Sequence, residues 1–85
     1  MNARQMEIFH SVMTSGTVSR GAELLRISQP SASKAIMELE RELGFALFER
    51  VKGRLVPTAE GQLLHREVEK SFVGMSRLKA AAARI

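Results

Sequence analysis

One segment, residues 28–44, constrains the fold of this chain more than any other part of the sequence. Ser28 can accept a hydrogen bond from the free amides of a first helical turn, and Pro30 falls in that turn, where its missing N–H costs nothing. Apolar side chains then follow at steps of four, three and four residues, at Ala32, Ile36, Leu39 and Leu43. Gly44 can adopt the left-handed conformation that ends a helix. The segment therefore predicts an amphipathic helix that buries one face and exposes the other.

Two shorter helices are predicted before this segment. The first covers residues 3–14, in which Met6, Phe9, Val12 and Met13 lie on one stripe. The second covers about residues 20–25, with Ser19 as its cap and the small Ala22 at the crossing with the third helix. Gly21 is expected to weaken this second helix by up to about 1 kcal/mol. Two helices joined by a tight turn at residues 26–28 predict a helix-turn-helix.

A hairpin and a long helix are predicted after Gly44. Apolar residues on both sides of Lys52 and Gly53 indicate two short strands, and glycine can take positive φ at the tip without strain. Pro57 closes the second strand, and Thr58 caps a helix that continues to the end of the chain. The predicted fold is mainly α: a winged helix-turn-helix at residues 1–57 and a linker or dimerisation helix at residues 58–85.

Composition limits the function. A chain of 85 residues with 45% hydrophobic content can build one small core and leaves little room for a catalytic cleft. Thirteen Lys and Arg residues against nine acidic residues, all of them Glu, give a net charge of +4, which favours a partner rich in phosphate. The absence of cysteine, signal peptide and membrane-spanning stretch predicts a cytoplasmic protein without disulfides.

The exposed face of the third helix combines hydrogen-bonding groups with cations. Ser33, Lys34, Met37 and Arg41 lie on it, and Gln29 and Ser31 lie near its start. The major groove of DNA accepts a helix of this kind, and the first residues of the helix reach the base edges. Arg50, Lys52 and Arg54 surround the protruding hairpin, which suits contact with phosphates or a narrow minor groove.

The last helix carries a longer apolar stripe than a small three-helix core can cover. Its members recur in steps of four and three residues: Leu64, Val68, Ser71, Met75, Leu78, Ala82 and Ile85, with Phe72 beside them. Pairing with a second copy would bury this stripe. The alternative is packing on the chain's own domain, which explains Leu64 and Val68 more easily than Met75 to Ile85.

Several of these pieces resemble one family. The string SRGAELLRISQPSASKAIMELERELGFALFER, followed by a basic hairpin and PTAEG, resembles LysR-type transcriptional regulators over nearly the whole chain. The most specific pieces are Ser28-Gln29-Pro30, Ser33 with Lys34, the helix ending at Leu39, Glu40, Leu43 and Gly44, residues 47–50 and residues 58–61. The chain departs from the usual pattern at Gly21, where alanine is usual, at Ala32, where a larger apolar residue is usual and looser packing is therefore expected, and at Lys34, where arginine is commoner. A lysine reads guanine less specifically, because its ammonium is a point charge.

The resemblance implies sequence-specific binding of double-stranded operator DNA by a homodimer. The DNA-binding set comprises Ser28, Gln29, Pro30, Ser31, Ser33, Lys34, Met37, Arg50, Lys52 and Arg54. The dimerisation set comprises Leu64, Val68, Phe72, Met75, Leu78, Ala82 and Ile85. A two-fold dimer predicts an inverted-repeat target. A tetramer is left open for the full-length protein, and the effector-sensing domain usual in the family is expected to be absent from this chain.

Other interpretations are less favoured. The same fold can serve as a protein-interaction module, whose mark would be an apolar recognition face, and the wing cations could simply protect a sheet edge. No glycine-rich phosphate loop, paired-carboxylate setting or serine triad indicates an enzyme. His10 and His65 are isolated along the chain and without an evident partner, so the sequence predicts neither a metal site nor a cofactor.

Overall fold

A computed structural model describes residues 1–85 and contains four helices and one two-stranded antiparallel sheet. The elements are α1 (Ala3–Ser15), α2 (Val18–Leu24), α3 (Gln29–Leu43), β1 (Phe48–Val51), β2 (Arg54–Pro57) and α4 (Ala59–Ala83). Their order confirms the predicted mainly helical, winged helix-turn-helix architecture with a long final helix. No helix has both the length and the apolar character needed to cross a membrane.

The core lies where α1, α2 and α3 meet the start of the wing. Its largest fully buried side chains are Phe9, Val12, Leu39 and Leu47. The ring of Phe9 meets Phe48 edge to face, with the ring centroids 5.8 Å apart. Ala32, Ile36 and Leu39 are buried as predicted from their spacing. The buried face of α3 is thus fixed, and its opposite face is turned to solvent.

Helix α2 begins earlier than the sequence predicts, and its cap is Thr17 rather than Ser19. The Thr17 hydroxyl accepts a hydrogen bond from the Arg20 amide at 3.1 Å. The reason is that Gly16, with φ of 91°, ends α1 and leaves only one extended residue between the two helices. Ser19 therefore lies within the first turn of α2.

Gly21 has a packing role that helix propensity alone does not reveal. A Cβ atom at this position would lie 2.8 Å from Cγ2 of Val12 and 2.9 Å from its backbone nitrogen. The hydroxyl of Ser11 also donates a hydrogen bond to the carbonyl of Gly21 at 2.9 Å. The missing side chain allows α2 to lie directly against α1, which offsets the expected weakening of the helix.

The backbone of Leu47 joins the wing to both flanking helices. Glu40 of α3 accepts hydrogen bonds through Oε2 from the amides of Leu47 at 2.7 Å and Phe48 at 3.4 Å. The carbonyl of Leu47 accepts from the amide of Thr58 at 3.0 Å. A Cβ at Gly61 would lie only 2.3 Å from that same carbonyl oxygen. The sheet is therefore fixed between the end of α3 and the start of α4.

Only the first part of α4 packs on the domain. Leu64 and Phe72 are partly buried against the core, and Val68 is only 6% exposed to solvent. The sequence assigned Val68 to contact with a second copy, but its side chain belongs to the monomer's own core and has almost no surface left to bury. Met75 and Leu78 are exposed by 54% and 64%. The helix extends beyond the body and gives the molecule a length of 50 Å.

Candidate nucleic-acid interface

Helix α3 begins with the cap that the sequence predicts. The Ser28 hydroxyl oxygen accepts a hydrogen bond from the Ser31 amide at 3.2 Å and donates its proton to Ser31 Oγ at 2.8 Å. Pro30 occupies the first turn, and α3 ends at Gly44 with φ of 81°. Gln29, Pro30 and Ser31 are all exposed. The start of α3 therefore presents a compact group of polar atoms to solvent.

The next turns of α3 continue this surface. The Gln29 amide donates to Ser33 Oγ at 3.0 Å, which holds the Gln29 side chain along the helix. The Lys34 side chain is 78% exposed, and its ammonium lies 4.0 Å from Glu38. An exposed pair at that distance contributes little, so Lys34 is available to an external acceptor. Met37, 59% exposed, adds an apolar contact to the same face.

The turn between α2 and α3 contains a cation in an unusual conformation. Arg26 has φ of 56°, and the amides of Ile27 and Arg26 donate to the carbonyls of Ala22 and Glu23 at 3.0 and 3.1 Å. This is the hydrogen-bond pattern of a helix end that favours glycine at the left-handed position. Arginine there costs about 1 kcal/mol. Arg26 is absent from the DNA-binding set predicted from the sequence, and only its position in the short turn at residues 26–28 is a signal for it.

The tip of the wing also contains a cation with positive φ. Lys52 and Gly53 have φ of 51° and 76°, and they connect the paired residues Val51 and Arg54. Positive φ at both central residues is what a two-residue type I′ hairpin turn requires. Lys52 and Arg26 are the two residues other than glycine with positive φ, and both are exposed cations. Strained residues of this kind cluster at functional surfaces.

A groove separates the wing from the start of α2. Its lining consists of Gly16, Thr17, Val18, Ser19, Arg50, Gly53, Arg54 and Leu55. Arg50 Nη1 donates to the Gly53 carbonyl at 3.4 Å, which holds one guanidinium along the hairpin. Two guanidinium groups opposite two hydroxyl groups match the donors that contact nucleic-acid phosphates.

The structure brings together two histidines that the sequence predicts to be isolated. His10 Nδ1 lies 3.1 Å from His65 Nε2, across the contact between α1 and α4. His65 Nδ1 lies 3.8 Å from Glu69. Burial lowers the pKa of His65, and nearby His10 lowers it further, whereas Glu69 raises it. The prediction that the two histidines are isolated was wrong, because residues 55 positions apart along the chain become neighbours only when it folds.

A capped helix with a polar, cationic outer face, beside a basic wing, defines a winged helix-turn-helix domain of the DNA-binding class. A family model described as the bacterial regulatory helix-turn-helix protein of the lysR family matches residues 3–62. The chain belongs to this family, which confirms the resemblance seen in the sequence.

Relatives and solved structures agree with this assignment. The HTH-type transcriptional regulator DgcR of a Pseudoalteromonas species is 46% identical over 85 residues, which is 100% of this chain and 29% of that protein. The transcriptional activator protein LysR of Escherichia coli (strain K12) is 46% identical over 82 residues, 96% of this chain and 26% of that protein. The chain thus spans less than a third of the length of these relatives.

The similar solved structures include complexes with DNA. The BenM DNA-binding domain in complex with catB site 1 DNA has a TM-score of 0.90 and 28% identity, over 99% of this chain and 94% of that one. The complex of the CbnR DNA-binding domain with DNA has a TM-score of 0.81 and 29% identity, over 100% of both chains. The fold described above is therefore that of LysR-family DNA-binding domains.

Proposed function

We propose that this domain binds double-stranded DNA in a sequence-specific manner, as the DNA-binding part of a LysR-type transcriptional regulator. Helix α3 enters the major groove, and the wing contacts the adjacent backbone or minor groove. The observation that carries the proposal is the exposed polar start of α3, together with two exposed, strained cations: Arg26 just before α3 and Lys52 at the tip of the wing. The similarity to DNA complexes of BenM and CbnR supports it.

Base reading is assigned to the first three turns of α3. The amide of Gln29 can pair with adenine, and its hydrogen bond to Ser33 orders it before DNA arrives. The ammonium of Lys34 suits the acceptors of guanine. Pro30 and Met37 offer apolar contacts for the methyl group of thymine. Together these side chains form a small surface of hydrogen-bonding and apolar groups that could contact a few base pairs.

Contacts with the DNA backbone are assigned to the residues around α3. Arg50, Lys52 and Arg54 supply the wing cations, and Ser28 and Ser31 supply hydroxyl groups at the start of α3. Arg26 adds a cation just before that start. Phosphate contacts fix the orientation of a protein on DNA, whereas base contacts supply specificity.

A second copy of the chain is the proposed partner of α4. Met75, Leu78, Ala82 and Ile85 form an exposed continuation of the stripe, whose earlier members Leu64 and Val68 pack on the domain. Next to it, an apolar groove between α1 and α4 contains Met6, Leu64 and Phe72. A two-fold dimer would place two α3 helices on an inverted repeat, with half-sites about one helical turn apart. Tetramer formation and effector sensing would involve other parts of a longer protein. That protein would act on the chromosome in the cytoplasm.

Selection of bound sites from random duplex DNA tests binding, specificity and symmetry together. With the selected site, Lys34→Ala is expected to lower affinity by about 1 to 3 kcal/mol and to reduce discrimination between sequences. Lys70→Ala is the matched control, because Lys70 is an exposed cation of α4 that pairs with Glu67 at 3.4 Å. Equal losses on selected and random DNA would contradict base reading by Lys34. Absence of binding to any duplex at low salt would favour a protein-interaction module instead.

The wing is tested by salt dependence. Arg54→Ala is expected to flatten the slope of log affinity against log salt by about one unit for each domain that contacts DNA, because one phosphate contact is lost. An unchanged slope would remove Arg54 from the interface.

A further inference from the structure

A pair of histidine rings lies at the centre of the contact between α1 and α4. His10 Nδ1 and His65 Nε2 are 3.1 Å apart, and the two residues are the only histidines of the chain. Both rings are partly buried, and His65 retains 15% of its side-chain exposure. The proposed binding of DNA uses neither ring.

Aromatic neighbours hold both rings in place. His10 stacks on Phe72, with centroids 4.6 Å apart and an angle of 28° between the ring planes. His65 meets Phe9 edge to face, with centroids 6.0 Å apart. The two nitrogens therefore face each other on rings whose orientation is fixed by packing. Ligands held in this way lose little freedom when they bind an ion.

The separation of the nitrogens suits a shared metal ion. Zinc binds histidine nitrogen at about 2.0 to 2.1 Å with tetrahedral angles, so two such nitrogens lie about 3.3 Å apart. The 3.1 Å between His10 and His65 needs only a small adjustment. A simple N–H···N hydrogen bond is the alternative explanation of this distance.

Glu69 offers a carboxylate next to the histidine pair. It lies one helical turn after His65, and its Oε1 is 3.8 Å from His65 Nδ1, the ring nitrogen that does not face His10. To join an ion held between His10 Nδ1 and His65 Nε2, the Glu69 side chain has to turn past the ring of His65. One potential ligand atom from each of His10, His65 and Glu69 lies within 4.8 Å of the others. The Glu69 side chain is 54% exposed, so it can turn towards an ion without unpacking the core.

We propose that His10, His65 and Glu69 form a binding site for a divalent transition-metal ion, with zinc as the best match. Two imidazole nitrogens and one carboxylate oxygen are established zinc ligands, and such a set leaves a fourth position for water. The ion would connect α1 to α4 near the point where α4 leaves the body. It would therefore hold the long helix at a fixed angle to the domain. This site does not depend on the proposed binding of DNA.

The test measures zinc binding by the metal-free 85-residue chain in competition with a chromophoric chelator. One equivalent of Zn²⁺ is expected to bind and to raise the melting temperature. His10→Gln and His65→Gln are each expected to weaken binding by about 100-fold, and Glu69→Gln by at least about 10-fold. Glu67→Gln, which removes an exposed carboxylate two residues away, is the control and should change nothing.

Two results would overturn the proposal. Equal zinc affinity in the unaltered chain and in the histidine variants would place the ion elsewhere, and absence of binding would leave the histidine pair as a hydrogen bond only. If the histidine variants fail to fold, the comparison of Glu69→Gln with Glu67→Gln decides, because both side chains are exposed and neither supports the core. Equal affinity in these two variants would exclude Glu69 as a ligand and overturn the three-residue site.

Discussion

The two halves of α4 share one apolar pattern but have different surroundings. In residues 59–72, Gly61 and Val68 are buried against the domain. In residues 73–83, the apolar side chains of Val73, Met75 and Leu78 are all more than half exposed. The difference shows that a helical stripe indicates which face will be covered, but not what covers it. The first half completes the core of the monomer, whereas the second half leaves its apolar side chains exposed.

The largest expected effect tests the packed half. Gly61→Ala is expected to destabilise the fold by about 3 kcal/mol, because its Cβ would lie 2.3 Å from the carbonyl oxygen of Leu47, and backbone cannot move aside cheaply. Gly74→Ala is the matched control in the exposed half, where nothing lies within 4 Å of the new Cβ. It should stabilise the helix by up to about 1 kcal/mol. Chemical denaturation measures both, and equal effects would abolish the distinction between the halves.

The exposed half is tested by its role in association. Replacing Met75 and Leu78 together by Glu is expected to weaken dimerisation by at least about 100-fold, because buried charges without partners are strongly unfavourable. The monomer should keep its stability, since both side chains are exposed. Sedimentation over a range of concentrations gives the dissociation constant.

Val73→Glu is the control for that experiment. Val73 is 51% exposed but lies on the opposite side of α4 from Met75. Dimers that survive the double substitution would place the interface elsewhere. If Val73→Glu weakens dimerisation as much as the double substitution does, then the added negative charge, rather than the loss of the apolar stripe, controls association.

Local signals were sufficient to predict α3. Ser28, the spacing of its buried residues and Gly44 define the start, face and end of the helix within one continuous stretch. The same reasoning misplaced the start of α2, because Thr17 and Ser19 are both good caps. The choice between them depends on Gly16, whose left-handed conformation ends α1 and leaves room for one residue only.

Features that depend on tertiary contact could not be predicted in this way. Gly21 appears unfavourable in a helix until the neighbouring Val12 is known. Glu40 is an ordinary helix-surface residue by its pattern, yet it fixes the amides of Leu47 and Phe48. The contact between His10 and His65 has no local sequence signal at all. Sequence periodicity describes single elements, whereas these roles arise where two elements meet.

The smallest expected effect is a dependence of stability on pH that originates in the packed half alone. Burial lowers the pKa of His65 in the folded chain below its ordinary value of 6.5. The unfolded chain therefore binds the proton more tightly, and the free energy of unfolding should fall as pH drops from 6.5 towards the lowered pKa. Above 6.5 the contribution is fully present, because His65 is neutral in both states.

Denaturation between about pH 5 and pH 7, with a chelator to exclude metal ions, measures this contribution, because ordinary carboxylates titrate below that range. His65→Gln should flatten the profile, since it removes the group whose protonation differs between the folded and unfolded states. Both histidines lie in or against residues 59–72, so the exposed half of α4 contributes nothing in this window. A profile that stays equally steep in the variant would show that the pH dependence arises outside the contact between α1 and α4.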